Sequence, residues 1–179
     1  MTEQKPVLKL DLGCGTRKCA PDFIGVDCRA FDGVDVVADL TKPWPWEDES
    51  VDHVYCSHFI EHLERLERVH FANELYRVLK PGGTAALIAP HWSSCRAYGD
   101  LTHAWPPVSE FWPPYLNAEW RKVNAPHNDE YTCDFVHGVG FAMRQDLLVR
   151  NQEYQQFALS NFKEAAQDIH INLTKPVKV

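Results

Sequence analysis

The sequence predicts an α/β layered fold on a parallel sheet, and three features lead there. Lys9-Leu10-Asp11-Leu12 reads as a short apolar strand running into the turn Gly13-Cys14-Gly15. Phe23-Ile24-Gly25-Val26-Asp27 reads as a second apolar strand closing on an acid. Residues 64–79 repeat apolar positions with helical period, and after Pro81-Gly82-Gly83 comes the apolar run Thr84–Ala89.

Taken in order, Val7–Leu12 is the first strand. The connection Gly15–Phe23 contains Pro21 and is shorter than the ten or so residues of an ordinary helical crossover, so the first helix should be stunted or replaced by a loop. Val34–Leu40 reads as a third strand that also ends at an acid, Asp39. Thr41–Ser50, with two prolines and two tryptophans, reads as a loop. Val51–Cys56 is a fourth strand. The helix over 64–79 should bury a stripe of Leu66, Val69, Leu75, Val78 and Leu79 and end at Pro81-Gly82-Gly83. Thr84–Ala89 is a buried fifth strand. Residues 91–128 hold most of the remaining prolines and little periodicity, as expected of a functional loop or lid. Phe135–Met143 is strand-like, 146–168 is helix-rich, and Ile169–Leu173 alternates as a half-buried last strand.

The chain of 179 residues, 45% of them hydrophobic, suits one domain with one core. Residues 7–90 would be its cofactor-binding half, 91–128 an acceptor or lid region, and 129–179 the C-terminal strands and helix. No run of about 18 apolar residues is present, so no membrane span is expected. Met1–Pro6 lacks an apolar segment of the secretory kind. The six cysteines are scattered without a C-x-x-C pair and read as reduced thiols of a cytoplasmic protein. A net charge of -7 with no basic run argues against strong nucleic-acid binding, which needs cations against phosphates.

Glycines at alternate positions of a strand-ending turn let backbone approach a ligand closely. An acid at the tip of the neighbouring parallel strand can accept hydrogen bonds from both hydroxyls of a ribose. Together they call for a nucleoside-containing cofactor. A dinucleotide fits poorly. Lys18 stands where the third glycine of G-x-G-x-x-G belongs, and Gly13 and Asp27 are fourteen positions apart instead of about twenty.

Leu10–Gly15, Gly25-Val26-Asp27, Ala38-Asp39-Leu40, Ser57–Leu63 and Leu75–Gly83, in this order and spacing, resemble class I S-adenosylmethionine-dependent methyltransferases. The short connection before Asp27, with Pro90-His91 and Asp100-Leu101-Thr102-His103, is similar to a bacterial and phage-type subgroup of small type-11-like methyltransferases. The resemblance implies a Rossmann-like, three-layer αβα fold with a mostly parallel seven-stranded sheet, a shortened first helix and a final antiparallel strand. It implies S-adenosylmethionine as cofactor, S-adenosylhomocysteine as product, and methyl transfer to an unidentified small or medium-sized acceptor, a small molecule or a nucleotide-like one. Gly13, Cys14 and Gly15 would pass the methionine portion and Asp11 would support its amino group. Asp27 would hold the ribose, and Asp39 and Leu40 would meet the adenine. Cys56, Ser57 and His58 would line the methionine end.

Methyl transfer is an in-line displacement, so positioning supplies much of the rate, and a His or Asp can take the acceptor's proton. His91, Asp100 and His103 are the candidates, with Asp100 and His103 read either as base and orienter or as staples of the long loop. The aromatic cluster Trp105–Tyr115 reads as a lid, a pocket wall or a satellite core. A catalytically inactive binding protein on the same fold is the second reading. A third is a zinc peptidase built on His58-Phe59-Ile60-Glu61-His62, which fits H-x-x-E-H. That motif needs a long helix and here follows a strand, so no metal is assigned.

Overall fold

The computed structural model describes residues 6–177, so the amino-terminal segment Met1–Lys5 discussed above lies outside it. Seven strands form one sheet in the order β3-β2-β1-β4-β5-β7-β6. They are β1 Lys9–Leu12, β2 Ile24–Asp27, β3 Val36–Val37, β4 Val51–Ser57, β5 Leu79–Pro90, β6 Val136–Met143 and β7 Ala166–Thr174. The first five pair in parallel, and β7 runs antiparallel between β5 and β6. The connections after β1, β2, β4 and β5 therefore open on one edge of the sheet, where ligands of open α/β sheets bind.

The core lies on one face. Ala85, Leu87 and Ala89 of β5 stand opposite Leu173, Ile171 and Ile169 of β7, all at most 2% exposed. Helix α1, Arg65–Val78, covers that face. The Glu64 backbone N–H donates to the Glu67 side chain at 2.8 Å across its first turn. Its buried stripe is Arg68, Phe71, Ala72, Leu75 and Val78. Burial of each large apolar side chain there contributes roughly 1.5–3 kcal/mol. Leu66, expected in that stripe, is exposed and Val69 only half-buried, because the stripe's first buried turn is taken by the aliphatic stem and guanidinium of Arg68.

Residues 13–23 form only turns, so the first crossover is the loop that its length and Pro21 allow, and the shortened first helix that the resemblance implies is absent. Two further expectations need correction. The third strand shrinks to Val36–Val37, two residues at the sheet margin. The helix ends at Val78, and Leu79 already pairs with Val51; Pro81-Gly82-Gly83 sits at an irregularity inside β5, with Gly82 at φ +83°.

The three-layer arrangement is also incomplete. Residues 28–35 and 38–50 form no helix either. The sheet face opposite α1 accordingly presents exposed His53, His170, Asn172 and Thr174, with half-buried Tyr55 and Thr84 between them. Residues 28–35 are too few for a helical crossover, and prolines interrupt the other two connections, at Pro21 and at Pro43 and Pro45.

Residues 91–135 return over the α1 face. They include the short helices α2, Arg96–Gly99, and α3, Ala118–Asn124, and a 3-10 turn, Pro113–Leu116. Val108, Leu116, Cys133 and Phe135 from this region join the main core. Helices α4, Gln145–Leu148, and α5, Gln152–Asn161, form a smaller cluster between β6 and β7.

Candidate active site at the carboxyl edge of the sheet

The glycine turn begins where β1 ends. Gly13 and Cys14 donate to the Val26 carbonyl at 2.8 and 3.1 Å, folding the turn onto β2. Gly13 and Gly15 have φ of +70° and +56°, a region that disfavours side chains. A Cβ on Gly13 would stand 2.6 Å from the Phe59 ring, whereas one on Gly15 would meet nothing within 4 Å. The backbone at Gly15 thus borders open space, as close approach of a ligand requires.

Asp27, at the tip of β2, accepts from the Gly15 N–H at 3.0 Å and the Arg29 N–H at 3.1 Å, one on each oxygen. Each oxygen retains a further lone pair, so the carboxylate has room for two hydroxyl donors. Asp11 is buried and accepts from the Cys19 N–H at 2.6 Å. Burial pushes its carboxyl above the ordinary range against the lowering effect of that bond. Its visible work is to pin the 13–22 loop. Asp39 closes a turn on Thr41, accepting from its N–H and hydroxyl at 3.0 and 2.7 Å, which hold its carboxyl below the usual value.

Leu40 is 3% exposed and packed in the core, so its side chain is not free to cover a base. Cys56 is buried on the α1 face, where desolvation raises its thiol pKa well above the ordinary value, and only its backbone faces the edge. Ser57 follows at the end of β4.

His58 then turns sharply. Its φ is +55°, its N–H donates to the Ile88 carbonyl at 2.8 Å, and its Nδ1 lies 3.3 Å from Glu61 Oε1. The hydrogen bond to Glu61 raises the imidazole pKa, against partial burial. A left-handed conformation at a non-glycine residue is strained and persists only where surroundings impose it. Arg96 pairs with Asp168 of β7 at 3.1 Å, and both charges act on His58. His58, Glu61, Arg96 and Asp168 thus gather polar chemistry at the β4–β5–β7 edge. Arg96 and Asp168 were not legible as site residues, and Glu61 was singled out only within the H-x-x-E-H pattern. Asp168 reaches this edge only because β7 runs backwards, which a linear sequence does not disclose.

The peptidase geometry is absent. After His58 the motif makes a single 3-10 turn, Ile60–His62, instead of a long helix. His91 is fully buried, bonded through Nδ1 to Ser93 Oγ at 2.8 Å and through Nε2 to Glu110 at 3.1 Å. It cannot touch an acceptor itself; the half-exposed Glu110, which also accepts from Trp92 Nε1 at 3.1 Å, is the group it orients. Asp100 Oδ2 and His103 Nε2 are 4.0 Å apart, too far for a base–orienter hydrogen bond. Asp100 Oδ1 instead accepts from the Thr102 N–H and hydroxyl, which lower its pKa. His103 stacks edge-on to His62, with ring centroids 4.8 Å apart.

Arg68 holds this loop in place. Its guanidinium donates to the carbonyls of Ile60, Leu63, Ala104 and Pro106, and the Ala104 N–H donates to the Glu61 carbonyl at 2.7 Å. Beyond it, Phe111, Trp112, Tyr115 and Tyr131 wall a groove with Pro106 and Pro107. Trp112 Nε1 donates to the Tyr131 hydroxyl at 3.0 Å.

Residues 21–87 match the model of a methyltransferase domain family. A methyltransferase-like protein of Schizosaccharomyces pombe is 34% identical over 96 residues, covering 44% of this chain and 36% of that protein. The stretch matched is thus little more than a third of the relative's length. A SAM-dependent methyltransferase from Archaeoglobus fulgidus superposes with a TM-score of 0.66 at 20% identity, covering 94% of this chain and 86% of that one. The [4+2]-cyclase SpnF superposes with a TM-score of 0.58 at 16% identity, over 96% of this chain and 75% of that one.

Proposed function

We propose that this chain, which has the class I methyltransferase fold and a methyltransferase-family segment at residues 21–87, binds S-adenosylmethionine and transfers its methyl group to a small acceptor. The observation that carries the reading is the pairing of the positive-φ turn Gly13–Gly15 with Asp27 across the ends of β1 and β2. The cofactor supplies a methyl group already activated by a sulfonium. The chain's own residues hold its parts. Gly15 offers backbone beside open space, Asp27 offers acceptor lone pairs to the ribose, and Asp39 would accept from the adenine amino group. The Cys14, Ser57 and His58 backbones border the methionine portion. With the nucleophile, methyl and sulfur held in line, positioning carries much of the rate.

For an acceptor that must lose a proton, the best-placed group is His58. Donation from Nδ1–H to Glu61 leaves Nε2 as the proton acceptor, and Glu61 stabilises the imidazolium that results. His91 acts through Glu110. The absence, among the described residues, of a helix long and apolar enough to cross a membrane fits work in the cytoplasm on a diffusible acceptor.

Calorimetry with S-adenosylhomocysteine tests the reading. Wild type should bind one equivalent, and Asp27→Ala should weaken binding at least a hundredfold. No heat with wild type would refute it. A second reading, cofactor binding without methyl transfer, is favoured by the likeness to a protein described as a cyclase. Bound cofactor with no turnover across a broad acceptor panel would support it.

A further inference from the structure

We propose that Glu61, His62 and His103 form a binding site for a divalent transition-metal ion of the zinc type. One ligand atom from each lies within 4.8 Å of the others. The Glu61 side chain is 5% exposed, and its Oε2 has no hydrogen-bond partner although Oε1 is engaged by His58. A buried carboxylate oxygen left without a partner is costly, and a cation bound beside it would remove that cost.

Both rings are prepared for the role. Thr102 Oγ1 donates its proton to Asp100 Oδ1 at 2.7 Å, so at 3.0 Å it accepts from His62 Nδ1–H. His103 Nδ1 lies 3.3 Å from the Ala97 carbonyl, which can only accept. These partners assign the proton to Nδ1 in each ring and leave each Nε2 with a free lone pair. An imidazole fixed by an oxygen acceptor on its other nitrogen is the usual condition of a metal-bound histidine. The loop that brings His103 is fastened to the 3-10 turn by Ala104 N–H to Glu61 O and by Arg68.

Tetrahedral zinc with bonds of about 2.0–2.2 Å needs donors about 3.3 Å apart. The three atoms, within 4.8 Å of one another, must therefore draw together by up to about 1.5 Å, a closure shared among small shifts of all three side chains. Two imidazoles and one carboxylate suit Zn²⁺, Co²⁺ or Ni²⁺ better than Mg²⁺ or Ca²⁺. The arrangement differs from a peptidase centre, because Glu61 is a ligand and His58 is not. Three protein ligands leave a position for water or an acceptor oxygen, on the same edge as the glycine turn.

Co²⁺ titrated into chelator-treated full-length protein, followed by visible absorption, tests the site. The expected result is one equivalent, with ligand-field bands of a nitrogen- and oxygen-ligated ion, no thiolate charge-transfer absorption, and displacement by Zn²⁺. His62→Ala and His103→Ala should each lower affinity at least a hundredfold. Saturating Zn²⁺ should raise the melting temperature of wild type and of neither variant. No stoichiometric uptake by wild type, a thiolate band, or undiminished affinity in a folded His103→Ala protein would overturn the proposal. None of these readouts requires methyl transfer, so the site stands or falls separately from the proposed activity.

Discussion

Replacing Arg68 with alanine is expected to release the loop that carries Asp100 to Pro107 while leaving the sheet intact. The guanidinium donates to Pro106 O at 2.5 Å, Leu63 O at 2.9 Å and Ile60 O at 3.1 Å, and more weakly to Ala104 O at 3.2 Å and Glu61 O at 3.4 Å. Three good hydrogen bonds from a charged donor, at about 1.5 kcal/mol each, are worth about 4–5 kcal/mol. Burial of the guanidinium, which pulls its pKa below the ordinary value, opposes this, and truncation relieves that cost. The net loss is expected to be about 3 kcal/mol, a large part of the roughly 5–15 kcal/mol that holds a domain together. For a chain of this size it corresponds to a fall in melting temperature of roughly 6–12 °C. Urea unfolding gives the energy. Chymotrypsin reports the loop, since Leu101 is 99% exposed and needs only local release to be cut on its carboxyl side. Arg68→Lys should recover only part of the loss, because an ammonium cannot span the same set of carbonyls. A loss below about 1 kcal/mol in Arg68→Ala, with unchanged cleavage after Leu101, would refute the assignment of Arg68 as the fastener of this loop.

Gly13→Ala should cost about 2–4 kcal/mol and abolish S-adenosylhomocysteine binding by calorimetry, because its Cβ meets the Phe59 ring at 2.6 Å and its φ is +70°. Glu74 accepts from Arg77 and from the Trp44 N–H at 2.6 Å, and these hold its pKa below the ordinary 4.5. A carboxyl with a depressed native pKa adds stability that is complete above its unfolded value and lost as pH falls through the native one. Melting temperature should therefore drop less steeply below about pH 4.5 in Glu74→Gln than in wild type. Cys133 is fully buried, with its thiol pushed up to about 12, and should resist a disulfide reagent in the native state, whereas exposed Cys28 and Cys95 should react; mass mapping of the labelled sites decides.

Much of the cofactor half was legible, because its signals are local. Gly13 and Gly15 need positive φ, Asp27 ends an apolar run, and the α1 periodicity repeats within a few turns. The reading failed where position depends on distant chain. Leu40 looked available for a base, but Trp44 and the core claim it, and His91 looked like an acceptor-side base until Glu110 and Ser93 enclosed it. Leu66 looked like core, but Arg68 holds that stretch of α1 because it must reach carbonyls of residues 104 and 106.

The sequence by itself determined the short apolar strands of the cofactor half, the glycine turn and the acid beside it, since each follows from backbone preference or period within a dozen residues. Only the tertiary structure decided that one sheet face lacks helices. It alone placed Asp168 at the site edge and His103 against Glu61 and His62. Those facts come from antiparallel return and from a loop fastened forty residues away, and such long-range closure leaves no periodic trace in the chain that forms it.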